Sequence, residues 1–285
     1  MNLEFVKDYR DKEELRRSFS ELARETFGID FEKWHEEGGW NGNYIPYSFV
    51  HEGRVVANVS VNTMEMMVLG EIHRVIQIGT VMTRPDYRRK GLARNLLLKV
   101  LKDFDEDHGF YFLAADEEAV TLYESVGFLP VRTRRFVADV SGYQRREDEP
   151  ARRMMPLAEL LEAKSMARPL SRKLSAVDDG HILAFYYTHG FRDCIYEPVK
   201  ETLTIFEKKD VRLHLYDVLS REEVDLQGLL EHMVTEDVHE VVFHFTPDKE
   251  IRGLNILDDE GGWMMRSDGT VTLPEAFTFP SISQA

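Results

Sequence analysis

Cysteine is almost missing: Cys194 is the single one in 285 residues. One thiol makes no internal disulfide and no thiolate metal cluster, which excludes a stapled secreted module and suits a reducing, cytoplasmic setting. Long apolar runs are missing too. No window approaches the roughly 18 uncharged apolar residues of a membrane span, and the opening MNLEFVKDYRDKEELRR is charged throughout, unlike a signal peptide. Positive charge is in deficit, 36 basic against 51 acidic residues for a net charge of -15. Such a field repels phosphate backbones and argues against nucleic acid. Most of the excess falls after residue 140, as in a chain of two parts. Short-period repeats and low-complexity tracts are absent, and His181, His189, His214, His232, His239 and His244 lack metal-site spacing, so no metal is expected.

What is present is an ordinary globular composition, 43% hydrophobic and 31% charged, enough for one large domain or two modest ones. Leu3 to Tyr9 alternates as a strand, and Leu15, Phe19, Leu22 and Phe27 then recur at helical spacing until Gly28. A short amphipathic piece, Phe31 to Glu37, leads into a turn-rich loop in which Trp40 is expected to be exposed. Strands at Tyr44 to His51, Arg54 to Val68 and Val75 to Thr83 form an antiparallel meander. Leu96, Leu97, Val100, Leu101 and Phe104 mark a helix, Phe110 to Ala114 a buried strand, Glu117 to Val126 a helix stopped by Gly127, and Phe128 to Val140 a closing strand pair. Gly142 to Arg153 is charged, contains Pro150 and reads as a linker. Helices near Leu157 to Ala167, Gly180 to Tyr187 and Val224 to Met233 then mix with strands near Thr202 to Phe206, Val211 to Val218 and Glu240 to Phe245. The class is α/β (an α+β mixed sheet), divided into residues 1–141, a linker 142–153 and residues 154–285.

The chemistry concentrates between a strand and a helix. Arg88, Arg89, Lys90, Gly91, Leu92 and Ala93 form a basic turn in which Gly91 and Ala93 leave the backbone approachable, and the helix that follows offers unpaired N–H groups at its positive end. Arg94 adds a further cation. Such a turn can hold a phosphate or pyrophosphate, although Walker and dinucleotide-binding spacings are both absent.

These residues resemble the GNAT superfamily of N-acetyltransferases, which use acetyl-coenzyme A. Its pattern of Arg or Gln, two residues, Gly, one residue, Gly or Ala is met by Arg88, Gly91 and Ala93, preceded by Pro85-Asp86-Tyr87. A second family element, an alanine-containing helix with tyrosine four residues before Gly-Phe, is met by Ala119, Tyr123, Gly127 and Phe128. The element order from Leu3 to Val140 also matches. The resemblance implies a GNAT fold whose strand ending at Thr83 splays from its neighbour. Acetyl-CoA, the cosubstrate, would lie in the gap and pair with the main chain near Val81, Met82 and Thr83, its pyrophosphate on the Arg88 to Arg94 turn. Tyr123 falls where relatives place the general acid, and a phenol of pKa about 10 suits protonation of a departing thiolate.

The acceptor must attack as a neutral amine, which an alkylamine is only about once in 2500 molecules at pH 7. Some relatives carry a glutamate six residues before the position of Thr83; here it is Gln77, which can orient a water but cannot accept a proton. By strand parity His73 shares a face with Gln77, Gly79 and Val81 and is the candidate base, with Glu65 and Glu71 as others. Glu32, Glu36 and Glu37 with Trp34, Trp40 and Tyr44 would make an acidic, aromatic lip suited to a small cationic acceptor such as a polycation or amino sugar, or simply a helix with a solvated face.

From residue 151 the order of elements resembles a second, degenerate GNAT-like domain without the basic turn. The ending GGWMMRSDGTVTLPEAFTFPSISQA is similar to the closing segment of two-domain relatives of the enhanced-intracellular-survival type, whose terminal carboxylate serves as base, which adds Ala285 to the candidates. We expect an N-acetyltransferase that brings acetyl-CoA and a small-molecule primary amine together in a ternary complex, with main-chain amides near Val81 polarising the carbonyl. No nucleic-acid or membrane partner is expected, and a homo-oligomer stays open. The rivals are a non-catalytic acyl-CoA sensing module and a protein-lysine acetyltransferase.

Overall fold

The computed structural model describes residues 2–284 apart from 105–107 and 260. The first half runs β1 (Glu4–Lys7), α1 (Glu13–Phe27), α2 (Glu32–Glu36), β2 (Tyr44–His51), β3 (Arg54–Val68), β4 (Glu71–Thr83), α3 (Leu92–Phe104), β5 (Phe110–Ala114), α4 (Val120–Glu124), β6 (Leu129–Pro130) and β7 (Thr133–Asp139). The second runs α5 (Leu157–Met166), β8 (Leu174–Ala176), α6 (Gly180–Thr188), β9 (Ile195–Val199), β10 (Thr202–Lys209), β11 (Arg212–Ser220), α7 (Leu226–Glu231), β12 (Glu240–Phe243), β13 (Leu254–Asp259) and β14 (Trp263–Ser267). Gly28 ends α1 in the left-handed region and donates its N–H to Arg24, as its place after the last apolar residue predicts.

Two mixed sheets result, ordered β1-β2-β3-β4-β5-β14-β6 and β13-β7-β12-β11-β10-β9, with β8 added beside β3. Each holds one parallel step built by a strand, helix, strand crossover: β4, α3, β5 in the first and β11, α7, β12 in the second. The fold is thus a GNAT-like unit followed by a degenerate second one. The strands anticipated between Phe128 and Val140 separate. Leu129–Pro130 pairs with β14 in the first sheet, while β7 crosses into the second between β12 and β13. In return β14, from beyond residue 260, enters the first sheet between β5 and β6. The sheets therefore exchange strands across the expected division at 141. Gly262 permits the entry: it sits at φ +65°, and a Cβ there would lie 2.6 Å from the Ala115 carbonyl oxygen.

Leu96, Leu97 and Val100 of α3 are fully buried against Val59, Val61, Ile76 and Ile78 of the sheet. On the other face Phe19, Phe31, Trp34, Trp40 and Tyr44 form an aromatic core, and the Trp34 indole donates to the carbonyl of His181 on α6. Trp40 is 3% exposed, so the expected aromatic lip is an interior instead. Glu32 there is held by Arg16 and Ser20, and Glu37 accepts from Thr188.

Beneath α5 and α6, Lys164 lies between two carboxylates, 3.0 Å from Asp179 and 2.8 Å from Asp217. Burial pushes the Asp217 carboxyl up despite the ammonium, and the two acids push Lys164 up. Lys164→Met would leave both carboxylates buried without a cation, at a cost of about 3–5 kcal/mol in urea unfolding at pH 7. A carboxyl whose folded-state pKa is raised binds protons preferentially when folded, so the deficit should shrink as the pH falls toward 4.

Candidate active site

The parallel pairing of β4 with β5 covers only Val75 to Gln77 opposite Phe110 to Phe112. Beyond Gln77 the strands part. At the same place β4 carries a bulge: Ser60 pairs with Gly79 and Asn58 with Met82, so Thr80 and Val81 together oppose Val59. Thr80 takes φ +49° and is pinned on both sides, the Asn58 amide donating to its carbonyl and the Tyr44 hydroxyl to its Oγ1. The extra residue reverses the strand's parity. Val81 packs with Ile76 and Ile78 on the α3 side, not on the face of Gln77 and Gly79 that strict alternation gives it. Main-chain groups of residues 79 to 83, no longer paired to β5, border the gap.

The gap opens onto the basic turn. Arg89 and Gly91 are left-handed, at φ +60° and +73°, and a Cβ on Gly91 would meet nothing within 4 Å, so the cradle in front of α3 is open. The first N–H groups of α3 have no carbonyl within the helix to bond. Arg88 is steered back by its Nε donating to the Thr83 carbonyl, and Arg94 reaches the Ser125 carbonyl at the end of α4. These residues and Tyr123 line one cleft of about 870 Å³. Tyr123 is 5% exposed, and among the described residues its hydroxyl has no hydrogen-bond partner. Burial, helped by the charge of Asp116, pushes its phenol up to about 12, which keeps it protonated at neutral pH.

At its other end the cleft is apolar. Phe27, Ile29 and Phe31, from the end of α1 and the loop after it, face Phe185 and Tyr186 of α6, and Gln284 closes the wall. The ring of Phe31 lies 5.3 Å from that of Phe185 and 5.8 Å from that of Tyr44, whose hydroxyl reaches the bulge. The carboxylates lining the cleft among the described residues, Asp116 and Glu118, belong to the segment before α4, on the side of Tyr123 and the arginines.

Residues 12–131 match the family model described as the acetyltransferase (GNAT) domain. This stretch is a GNAT acetyltransferase domain. No curated protein matches it. Solved structures share the fold over both halves at low identity. A probable N-acyltransferase from Enterococcus faecalis aligns with TM-score 0.64 at 13% identity, over 94% of this chain and 72% of its own. Eis1 from Mycobacterium abscessus gives 0.63 at 13%, over 94% and 74%. A GCN5-related N-acetyltransferase from Kribbella flavida gives 0.59 at 16%, over 93% and 71%.

Of the residues anticipated in the GNAT domain, the structure gathers Val81, Met82, Thr83, Arg88, Arg89, Gly91, Leu92, Ala93, Arg94 and Tyr123 around this cleft. Lys90 does not line it; its ammonium turns back to the Asp86 carbonyl and over the Tyr87 ring. His73 is also away from it, near Gly109 at the far end of β4 and 3.9 Å from Glu71. At about 3.3 Å per residue the strand separates His73 from Thr80 by some 20 Å. Glu65 and Glu71 do not line the cleft either. Gln77 does, but its amide is spent: Oε1 accepts from Asn62 and Nε2 donates to the Ile78 carbonyl. Ala285 lies outside the described residues. The bulge at Thr80 and the wall from α6 escape a reading by period and motif. The switch in apolar spacing at Ile76, Ile78 and Val81, from two to three, is the one local trace of the bulge. The described residues hold no cluster fit for a metal and no helix long and apolar enough to cross a membrane.

Proposed function

We propose that the chain transfers an acetyl group from acetyl-CoA directly to a primary amine carried on a small, apolar body. One observation carries this: the bulge, the anion-binding turn and the Tyr123 hydroxyl open into a single cleft whose far end is lined by Phe27, Ile29, Phe31, Phe185 and Tyr186. The open face of Gly91 and the unpaired amides of α3 fit a diphosphate, and the stretch of residues 79 to 83 that β5 leaves uncovered fits an extended amide-bearing arm. Acetyl-CoA, when bound, supplies the thioester. The amide of Val81, aimed by the strained Thr80, polarises the carbonyl; as the amine nitrogen forms the C–N bond and the C–S bond breaks, the tyrosine hydroxyl gives its proton to the leaving sulfur, and the proton lost by the nitrogen passes to solvent and restores the phenol.

Deprotonation of the amine follows from its surroundings. At pH 7 an alkylammonium must give up its proton at a cost of about 4.6 kcal/mol. Among the described residues no carboxylate faces the aromatic end, so burial there disfavours the ammonium and lowers its pKa. The same lack of acid sets the acceptor class. A polycation would leave unmatched charges against Phe27, Phe185 and Tyr186, whereas one amine on an aromatic or aliphatic body leaves none. The single buried Cys194 suits a reducing, cytoplasmic setting.

Thiol release from acetyl-CoA over a panel of phenethylamine, hexylamine, spermidine, an aminoglycoside and a lysine peptide checks the assignment. The apolar monoamines should exceed spermidine in kcat/KM by about tenfold or more. Preference for spermidine or the peptide overturns the acceptor class. Acetyl-CoA binding without thiol release from any amine would make the chain a sensor.

A further inference from the structure

The second half repeats the crossover of the first, and its parallel pair also parts. β11 and β12 are paired from Arg212 and Glu240 to Leu215 and Phe243, one further bond joins the His244 N–H to the Leu215 carbonyl, and the strands then diverge. The turn that follows β11 is Arg221-Glu222-Glu223-Val224-Asp225, with three acids and no glycine, so no anion is held there. The gap is filled by the chain itself. Thr278 exchanges two hydrogen bonds with the Thr246 hydroxyl, Ser281 donates its N–H to the His244 carbonyl, and Pro280, Ile282 and Ser283 lie against Tyr216 to Leu219. Ile282 and Ser283 are each 1% exposed.

The filling segment is fastened to the wall of the first half's cleft. The Ser283 hydroxyl donates to Asp179 at 2.7 Å. Asp179 is also held by Lys164 and immediately precedes α6, the helix that bears Phe185 and Tyr186. Tyr186 in turn donates its hydroxyl to the carbonyls of Ser281 and Gln284, at 2.9 and 3.0 Å. The next side chain after this clamp, Gln284, lines the acceptor end.

We propose that the second half is a socket: its splayed gap, which corresponds to the cosubstrate gap of the first, grips residues 280 to 283 and so sets Gln284 and Tyr186 as the acceptor wall of the first domain. Asp179 and the Tyr186 hydroxyl are positioning residues for the acceptor, acting through Ser283 and the tail carbonyls. The role rests on the proposed acetyl transfer only for its kinetic consequence.

Ser283→Val and Ser283→Thr have the same shape and differ in the hydroxyl, and Ser283 borders a cavity of about 30 Å³. The full-length variants, with Tyr186→Phe, are compared in amine kinetics, acetyl-CoA calorimetry and hydrogen exchange. Losing the Ser283 hydrogen bond, or the hydroxyl that Tyr186 shares between two carbonyls, should raise the amine KM about fivefold to tenfold. Acetyl-CoA affinity should stay within about twofold, and Ser283→Thr should behave as the native chain. The Ser281 amide should be protected in the native chain and exchange at least about tenfold faster in the Val and Phe variants. Equal kinetics for Val and Thr, or a parallel loss of acetyl-CoA affinity, overturns the positioning role. If the native protein releases no thiol, the transfer reading fails and hydrogen exchange alone decides: an unprotected Ser281 amide, or protection that neither variant lowers, refutes the socket.

Discussion

Tyr123→Phe should lower the turnover of acetyl transfer by about one to two orders of magnitude while leaving acetyl-CoA affinity within about twofold. The ring is what packs: it is 5% exposed and contacts the core that includes Phe128, so the phenylalanine keeps the fold. What disappears is a hydroxyl without a partner among the described residues. Its pKa of about 12 means that the acid form persists well into alkaline solution. The native enzyme should therefore show no fall in kcat from loss of this proton up to about pH 10. Stopped-flow or steady-state thiol release for the two proteins between pH 6 and 10 measures both effects. Unchanged turnover in the variant would remove Tyr123 from the chemistry.

The second large effect belongs to the turn. Gly91→Glu should weaken acetyl-CoA binding by about 100-fold or more, equivalent to at least about 2.7 kcal/mol. The cost to binding is a carboxylate placed where a diphosphate must approach the positive end of α3; the side chain at φ +73° adds about 1–2 kcal/mol of backbone strain, which the free protein bears as well. Gly91→Ala separates them. Its Cβ meets nothing within 4 Å, so it carries the strain without the charge and should cost far less affinity. Calorimetric titration with coenzyme A reads both variants. Equal affinity in the Glu variant and the native chain would mean that the cosubstrate's phosphates rest elsewhere.

The parts of this molecule that were legible in the sequence are those whose cause is local. Gly28 after Phe27, the apolar face of Leu96, Leu97 and Val100, and the short glycine turn before α3 each follow from a few neighbouring residues, and the structure places them as expected. The bulge at Thr80 depends on hydrogen bonds from Asn58 and Tyr44, 22 and 36 residues away, so strand parity misplaced Val81 and favoured His73. Trp40 sits in a loop of turn formers yet is buried, because Phe19, Phe31 and Trp34 need a covering ring from outside their own helices. The acceptor wall was the least visible. Phe185 and Tyr186 fall inside the helix expected near Gly180 to Tyr187 with no local motif to mark them, and their place in the cleft depends on how α6 packs against α2, a contact spanning about 150 positions of sequence.

The strand exchange bears on how the molecule is made. During synthesis the edge of β5 waits for β14, more than 140 residues later, while β7 waits for β12 and β13. Nascent chains that stop short of Ser267 therefore carry an unpaired apolar edge, the kind of surface that recruits a neighbour's strand. A ribosome-bound chaperone has a long interval in which to act, and separately expressed halves should recover solubility only when mixed during refolding.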